Sequence, residues 1–351
     1  DGALLFIDRT AAPGQPLQLR LEQLELSARD ISLQRSFPVA FKGVLAAAPF
    51  EIDGTVDPVA KGGRAHIKMT GLDATLFAPY YREKLPGRLA ALRLGVDVEA
   101  EGSAQAVASS GRVGFGGLDL RLDALKDTPL SGDLALEHKV RVDLQKKTAT
   151  IEEMTLGFGD LAVQMAGKVE QFDARPLLDL SLTVPPIELR KLQTSLPAAL
   201  ADKMRPFDPA GTISFKARLA GPAAEPKKLL KDGEVTLNAV QSSVAGMRPE
   251  VSGALLLQGD SFGSRGLTVA AGSNRANVDL RGANLLGRPI NVVVRVGADR
   301  FELDPLLVAS APAAGAPATK PQAKGTAQEI GPFDLPLRAD ATVQIRQTVY
   351  K

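Results

Sequence analysis

The sequence predicts a mainly β protein, built as an elongated, curled antiparallel sheet (a β-groove) with a few short helices. Three observations support this: short runs in which apolar and polar residues alternate, turn-forming residues between the runs, and a pattern that recurs about every 113 residues. Alternation with a period of two is typical of strands with one face buried and the other in water. The turn residues favour hairpins over the long crossovers that parallel strands need.

Alternating runs occur along most of the chain, and in each run the apolar residues share one face. Turn residues such as Gly259-Asp260 and Asp232-Gly233 lie between the runs. We predict that the apolar face lines the groove. The predicted groove contacts are Leu17, Leu19, Leu21, Val96, Val98, Leu118, Leu120, Leu122, Val140, Val142, Leu144, Ile213, Phe215, Val235, Leu237, Val278 and Leu280.

Two stretches break the alternation and predict short helices, Asp73–Lys84 and Glu188–Met204. Asp73 is a good N-cap residue because its carboxylate can accept a hydrogen bond from a free backbone N–H of the first turn. Pro79 and Pro197 limit the regularity of both helices, since proline lacks a backbone N–H.

An internal repeat defines the predicted domains. Gly54, Gly167 and Gly282 are separated by 113 and 115 residues, and Ile67, Leu180 and Val293 on the following strands by 113 each time. A period this long predicts multi-strand units stacked side by side. The predicted organisation is N-terminal strands over 1–63, repeat units over 64–177 and 178–290, the start of a third unit over 291–308, a low-complexity loop over 309–328 and the start of a C-terminal region over 329–351.

Composition excludes several kinds of function. The chain has no cysteine and two histidines, which excludes disulfides, thiolate nucleophiles and Cys- or His-rich metal sites. The net charge of +2 is spread along the chain, so no nucleic-acid surface is expected. No apolar run is long enough for a membrane-spanning helix and no signal peptide is visible. We expect the chain to be a fragment of a longer protein.

Two glycine-rich patterns resemble catalytic motifs, and we interpret both as structural. Gly259–Gly263 fits the G-x-S-x-G pattern of a hydrolase nucleophile elbow, but it lies between predicted strands and lacks a histidine partner. Gly114, Gly116 and Gly117 resemble a phosphate loop, but Asp119 stands where the last glycine is needed. We predict a turn and a glycine-containing strand.

The remaining reactive side chains are predicted to lie on the solvent-facing side of strands. Acidic pairs such as Glu152-Glu153 have Lys and Arg nearby, which is typical of surface charge. His66 and His138 are both predicted at polar positions beside strand residues. No catalytic residue, metal site or cofactor is therefore predicted, and we expect that the protein is not an enzyme.

The chain resembles the AsmA family of bacterial envelope proteins. The resemblance rests on DGALLFIDRTAAPGQPLQLRLEQLELSARDIS at the start, FDARPLLDLSLTVPPIELRKL in the middle and FDLPLRADATVQIRQTVYK near the end, the last similar to the start of the AsmA-like C-terminal region. It implies a periplasmic protein, anchored in the inner membrane by an N-terminal helix that is missing here. It also implies a β-groove that carries phospholipids toward the outer membrane, with outer-membrane or periplasmic proteins as further candidate partners.

Two functions are open at this point. The first is a lipid-transfer protein that conducts phospholipid acyl chains along the apolar groove, because each buried methylene contributes about 0.8 kcal/mol without any polar contact. The alternative is a structural or assembly-scaffold protein of the envelope, in which the same residues fill a closed β-sandwich core.

Overall fold

The structure is a computed structural model that describes residues 2–8, 17–83, 85–123, 129–196, 201–202, 204–243, 247–285, 287, 289–302 and 337–350. Within these residues 73% are in strands and the helices are short, which confirms a mainly β fold. The low-complexity loop predicted over 309–328 lies outside the described residues.

The described residues form eighteen strands and the short α-helices α1 (Ala78–Tyr81) and α2 (Leu189–Ser195), with further helical residues at 201–202 and 204. The strands are β1 (Gly2–Asp8), β2 (Leu17–Ala28), β3 (Phe37–Leu45), β4 (Ala48–Asp57), β5 (Gly62–Asp73), β6 (Gly87–Gly102), β7 (Ala106–Leu122), β8 (Pro129–Asp143), β9 (Thr148–Phe158), β10 (Leu161–Glu170), β11 (Leu177–Glu188), β12 (Ala210–Pro222), β13 (Leu230–Gln241), β14 (Glu250–Gln258), β15 (Ser261–Ala271), β16 (Asn274–Ala283), β17 (Ile290–Glu302) and β18 (Leu337–Val349).

The chain divides into two units. The first comprises Asp1–Pro185, Thr194–Leu200 and Arg218–Leu229, and the second comprises Pro186–Gln193, Ala201–Ala217 and Leu230–Lys351. In the first unit β1 to β11 pair in chain order, each antiparallel to the next. In the second unit β13 to β17 pair in the same way, and β18 then pairs with β17 in parallel. The predicted antiparallel meander is thus confirmed, with a parallel strand added at β18.

The strand register of the first unit is marked by a row of alternating charge, which we call the charge ladder. Its seven residues lie opposite one another on β2 to β8, and every neighbour carries the opposite sign. Opposite charges across antiparallel strands stabilise the pairing, whereas a one-residue slip would turn each side chain to the other face. The ladder is Glu25, Lys42, Glu51, Lys68, Asp97, Arg112 and Glu137.

β-Bulges realign the apolar residues within long strands. Gly117 of β7 has φ +60° and donates its N–H to Asp133 Oδ1 at 2.9 Å, and the register with β8 shifts between Phe115 and Leu118. A bulge inserts one unpaired residue. As a result, Phe115 before the bulge and Leu118 after it point to the same face, although their numbers differ by an odd interval. This confirms that the glycine cluster belongs to a strand.

Both predicted helical stretches contain short helices. Asp73 accepts a hydrogen bond from the Thr75 N–H at 2.9 Å and caps a 3-10 turn over Ala74–Phe77, which leads into α1, so the predicted N-cap is confirmed. Helix α2 ends at Ser195, before Pro197. Residues 197–200 of the second predicted helix lie outside the described part of the chain.

One predicted turn is wrong. Asp232 and Gly233 lie inside β13, paired with Gln258 and Leu257, and the connection from β12 instead contains a 3-10 turn over Pro226–Lys228. A Cβ on Gly233 would come within 3.3 Å of the Leu257 side chain, so this glycine makes room in the sheet instead of turning the chain. The Gly259-Asp260 turn, between β14 and β15, is confirmed.

The repeat is not confirmed residue by residue. Its marker glycines lie on β4, β10 and β16, six strands apart. In the second copy of the repeat the two marker residues, Gly167 and Leu180, pair with each other. In the third copy Gly282 pairs with Val292 instead of the marker Val293. Val293 therefore lies on the opposite face, with 43% of its surface exposed. The domain boundaries drawn from the repeat therefore stay a prediction.

Candidate functional site

The candidate site is one face of the sheet in the first unit. Residues directly opposite each other on antiparallel strands point to the same side. Val96, Val98 and the residues paired with them define a side that is almost entirely apolar, which we call the apolar face. One cross-strand row on this face consists of Met69, Val96, Val113, Leu136, Leu156 and Val163, on β5 to β10.

A second row runs beside the first, two residues further along each strand. It contains Ile52, Ile67, Val98, Gly111, His138, Met154 and Met165, on β4 to β10. At about 4.8 Å per strand, the six steps of this row cover roughly 29 Å measured along the sheet. The acyl chains of one phospholipid span a single leaflet, about half of the ~30 Å hydrocarbon core of a bilayer, so the row is long enough for them.

The apolar face is only partly covered by protein. Val96, Val98, Val140 and Val142 are all half-buried. A few apolar residues, including Leu17 at 5%, Leu72 at 3% and Leu118 at 6% exposed surface, are buried, but no large side chain of the described residues is fully buried. In a closed sandwich the inward rows fill a core at crystal-like density. These rows instead keep part of their surface in water.

The structure brings most predicted contacts of the first unit onto this one face. Leu120 pairs with Leu89, and Leu21 with Leu45, on the same side. Leu144 differs, because β8 ends at Asp143 and Leu144 lies in the following turn, where its N–H donates to the Gln105 carbonyl at 2.8 Å. The predicted contacts on the apolar face are Leu17, Leu19, Leu21, Val96, Val98, Leu118, Leu120, Leu122, Val140 and Val142.

The second unit has an apolar face of its own. Val235 pairs with Leu255 of β14, and Leu237 with Gly253, while Val278 and Leu280 pair with valines of β17. The register through β15 puts all of them on one side. The predicted contacts Ile213 and Phe215 lie on β12 and are half-buried.

His138 corrects a sequence-based prediction. The sequence predicts a polar position, but His138 pairs with Gly111 and Met154 within the second apolar row. Its Nε2 lies 2.9 Å from Ser109 Oγ, whereas Nδ1 is buried without a hydrogen-bond partner. The signal was present in the sequence, because His138 follows Leu134 and Leu136 in steps of two. His66, in contrast, lies on the polar face as predicted, with Nε2 2.7 Å from Asp97 Oδ1.

The opposite, polar face is a surface of ion pairs. Glu152 contacts Lys139 at 3.0 Å and Arg141 at 2.5 Å, and the hydrogen bond from Lys139 is the main cause that lowers the pKa of its carboxyl. The hydrogen bond with His66 likewise lowers the pKa of Asp97. Both carboxyls are held in the charged form, which agrees with the predicted role of surface charge.

A cavity of about 800 Å³ lies along the polar face near one end of the strands. Its walls combine cations, carboxylates and threonines of β4 to β10, and Val107 and Val142, which pair with each other on the apolar face, also line it. The cations are already paired: Arg64 contacts Glu101 at 2.8 Å, and Lys168 contacts Glu170 at 2.6 Å. Because these charges are exposed and mutually satisfied, the cavity adds little to the site.

The serine of the G-x-S-x-G pattern has a local structural contact. Ser261 begins β15, directly after the Gly259-Asp260 turn, and its hydroxyl donates to the Gln258 carbonyl at 2.9 Å. The strand continues where a nucleophile elbow would need a helix. The turn interpretation is therefore confirmed.

Within the residues that the structure describes, no cluster of three or more His, Cys, Asp or Glu could hold a metal ion, and none of the helices could span a membrane. Comparison with protein-family models, curated proteins and solved structures gave no match.

Proposed function

We propose that the protein binds lipids and transfers them, with acyl chains lying on the apolar face of the sheet. The observation that carries this proposal is the set of continuous apolar rows over neighbouring strands, whose side chains keep part of their surface exposed. An exposed apolar patch of this extent on a protein usually marks a binding surface. The rows have few polar groups, which suits a ligand recognised by its hydrocarbon part.

The energetics favour a chain-like, sliding ligand. Each methylene moved from water onto the face contributes about 0.8 kcal/mol, so a chain of many methylenes binds without a specific polar contact. The side chains along the first row are of similar kind and size, such as Val96, Val113 and Leu136. A bound chain would therefore meet similar contacts at each strand, and movement along the sheet would cross low barriers.

We further propose that the protein belongs to the AsmA family and acts in the periplasm of a bacterium with two membranes, carrying phospholipids between them. The sequence resemblance supports this part of the proposal. In the full-length protein an N-terminal helix would anchor it in the inner membrane. The charge ladder on the other face is consistent with a sheet that has one side in water and the other on lipid.

Substituting an acidic residue on each face in turn tests this proposal. Val142→Asp, near the end of β8, puts a carboxylate on the apolar face, and Leu120→Glu does so on the neighbouring strand β7. Thr150→Asp is the matched control, because Thr150 lies on β9 opposite Arg141 on the polar face. We expect phospholipid to co-purify with the wild type and with the control, and to be lost or strongly reduced in the two groove variants.

Transfer of a fluorescent phospholipid between vesicles gives the second measurement. The groove variants should transfer slowly while circular dichroism shows an intact β fold. If the wild type carries no lipid, or if Val142→Asp and Thr150→Asp transfer equally well, the proposal is wrong. The scaffold alternative predicts that outcome, because a face covered by protein has no place for lipid.

A further inference from the structure

Strand β18 presents a long and exposed edge. It pairs with β17 from Leu337 to Val349, and β17 is its one partner strand within the described part of the chain. All residues from Leu337 to Thr348 are exposed, and Val343 keeps 62% of its surface. Natural proteins usually shorten, bend or cover such an edge, because its free N–H and C=O groups can pair with another strand.

The two sides of β18 differ in the same way as the rest of the sheet. Ala341, Val343 and Ile345 alternate with Asp340, Thr342, Gln344 and Arg346. A strand that pairs with this edge must match both sides, with apolar residues opposite apolar residues and charges opposite the other sign. An antiparallel copy of β18 itself can meet both conditions.

We propose that β18 is a homodimer interface, at which the β18 strands of two copies pair antiparallel about a two-fold axis at Val343. In this register Ala341 lies opposite Ile345 of the second copy, and Leu337 opposite Val349, so the apolar sides largely coincide, with Ala339 opposite Gln347 as the mixed pair. Asp340 lies opposite Arg346 of the second copy, and by symmetry this opposite-charge pair forms twice. Charge complementarity thus favours a second copy of the chain as the occupant.

Neighbouring registers lack this match. An axis at Thr342 puts Arg338 opposite Arg346, which is a like-charge pair, and an axis at Gln344 leaves Asp340 opposite Thr348. Arg346 also contacts Asp299 of its own chain at 3.3 Å. In the Val343 register its guanidinium can keep this contact and bind Asp340 of the second copy as well. An arginine has five N–H donors, so it can bind both.

Cysteine cross-linking of the full chain tests the register, because the wild type contains no cysteine. Val343→Cys places two thiols opposite each other across the axis, where Cβ atoms of paired residues are about 4.5–5.5 Å apart. Ala341→Cys is the matched control: it lies on the same side, but its counterpart in the second copy is offset by four residues. We expect a disulfide-linked dimer for Val343→Cys and little for Ala341→Cys.

Charge reversal tests the complementarity by sedimentation equilibrium. Asp340→Arg alone should raise the dimer dissociation constant about tenfold (~1.4 kcal/mol), and Arg346→Asp should do the same. The double variant Asp340→Arg with Arg346→Asp should dimerise more tightly than Arg346→Asp alone, because it restores opposite charges between the two copies. Both of these variants carry the same altered contact with Asp299, so they differ only in the pair between copies.

The proposal is overturned if the wild type stays monomeric at all concentrations, if both cysteine variants cross-link equally, or if the second charge reversal weakens the dimer further. A monomer that binds an added extended peptide along β18 would assign this edge to another partner and would also overturn it. Because lipid transfer is measured separately, loss of the dimer with normal transfer would leave the lipid proposal standing.

Discussion

Replacing Gly54 by alanine should strongly destabilise the first unit. A Cβ at this position would lie 2.0 Å from the carbonyl oxygen of Arg64 on the neighbouring strand. Real Cβ atoms do not approach a backbone oxygen more closely than about 3 Å, so β4 and β5 would have to separate by about 1 Å. This movement strains the backbone hydrogen bonds between β4 and β5 near Gly54, and overpacking of this kind costs roughly 1–3 kcal/mol of folding free energy.

Gly114→Ala is the matched control in the same unit, because a Cβ there meets no atom within 4 Å. It should be neutral, or stabilise by up to about 1 kcal/mol because alanine reduces the entropy of the unfolded chain. Urea unfolding followed by circular dichroism measures both variants. Equal stability of the two variants would refute the explanation from strand spacing, since the sequence change is identical and only the surroundings differ.

Three further perturbations probe other parts of the first unit. Lys68→Glu replaces two opposite-charge pairs of the charge ladder by like-charge pairs and should lower the free energy of unfolding by roughly 0.5–2 kcal/mol. This loss of stability should shrink in high salt, and a loss that is independent of salt would contradict the prediction. Ser109→Ala should destabilise the fold by about 1–2 kcal/mol, because it removes the hydrogen-bond partner of His138 Nε2. The double variant Ser109→Ala with His138→Leu should recover this loss. Equal losses of unfolding free energy in the single and the double variant, measured by chemical unfolding, would contradict the coupling. Acidification should destabilise the fold below about pH 5. The pKa of carboxyls such as Glu152 is lowered in the folded chain, so the unfolded chain binds more protons as the pH falls. Thermal midpoints that stay constant from pH 7 to about pH 3 would contradict this prediction.

Strand content and hairpin topology are readable from the sequence because both depend on local patterns. Alternation with a period of two identifies a half-buried strand wherever one side is apolar. The charge ladder is also visible in the sequence once neighbouring strands are aligned, since its members alternate in sign from strand to strand. The bulge at Gly117 is harder to predict from the sequence, because several glycines lie near it and only the structure shows that Gly117 has φ +60°.

The composition of the apolar face could be predicted in most places, and the exceptions have physical causes. Leu144 continues the period of Val140 and Val142, but the chain turns after Asp143, and a pattern of side chains does not mark where a strand ends. His138 is polar, which favours a position in water, yet its spacing of two and four residues from Leu136 and Leu134 is that of the apolar side. The parallel position of β18 depends on pairing with a strand more than 30 residues earlier, which no local pattern encodes.

Lipid binding should be visible as stabilisation of the fold, independently of any transfer assay. A ligand that binds the folded chain and not the unfolded one adds RT ln(1 + [L]/Kd), about 2.7 kcal/mol at a hundredfold excess over Kd. Thermal unfolding of delipidated protein should therefore shift upward as a soluble short-chain phospholipid is added. Val142→Asp should abolish the shift, and Thr150→Asp should keep it. A scaffold whose apolar face is covered by protein would show no shift in any of the three proteins, so a flat titration of the wild type would exclude an accessible lipid-binding face.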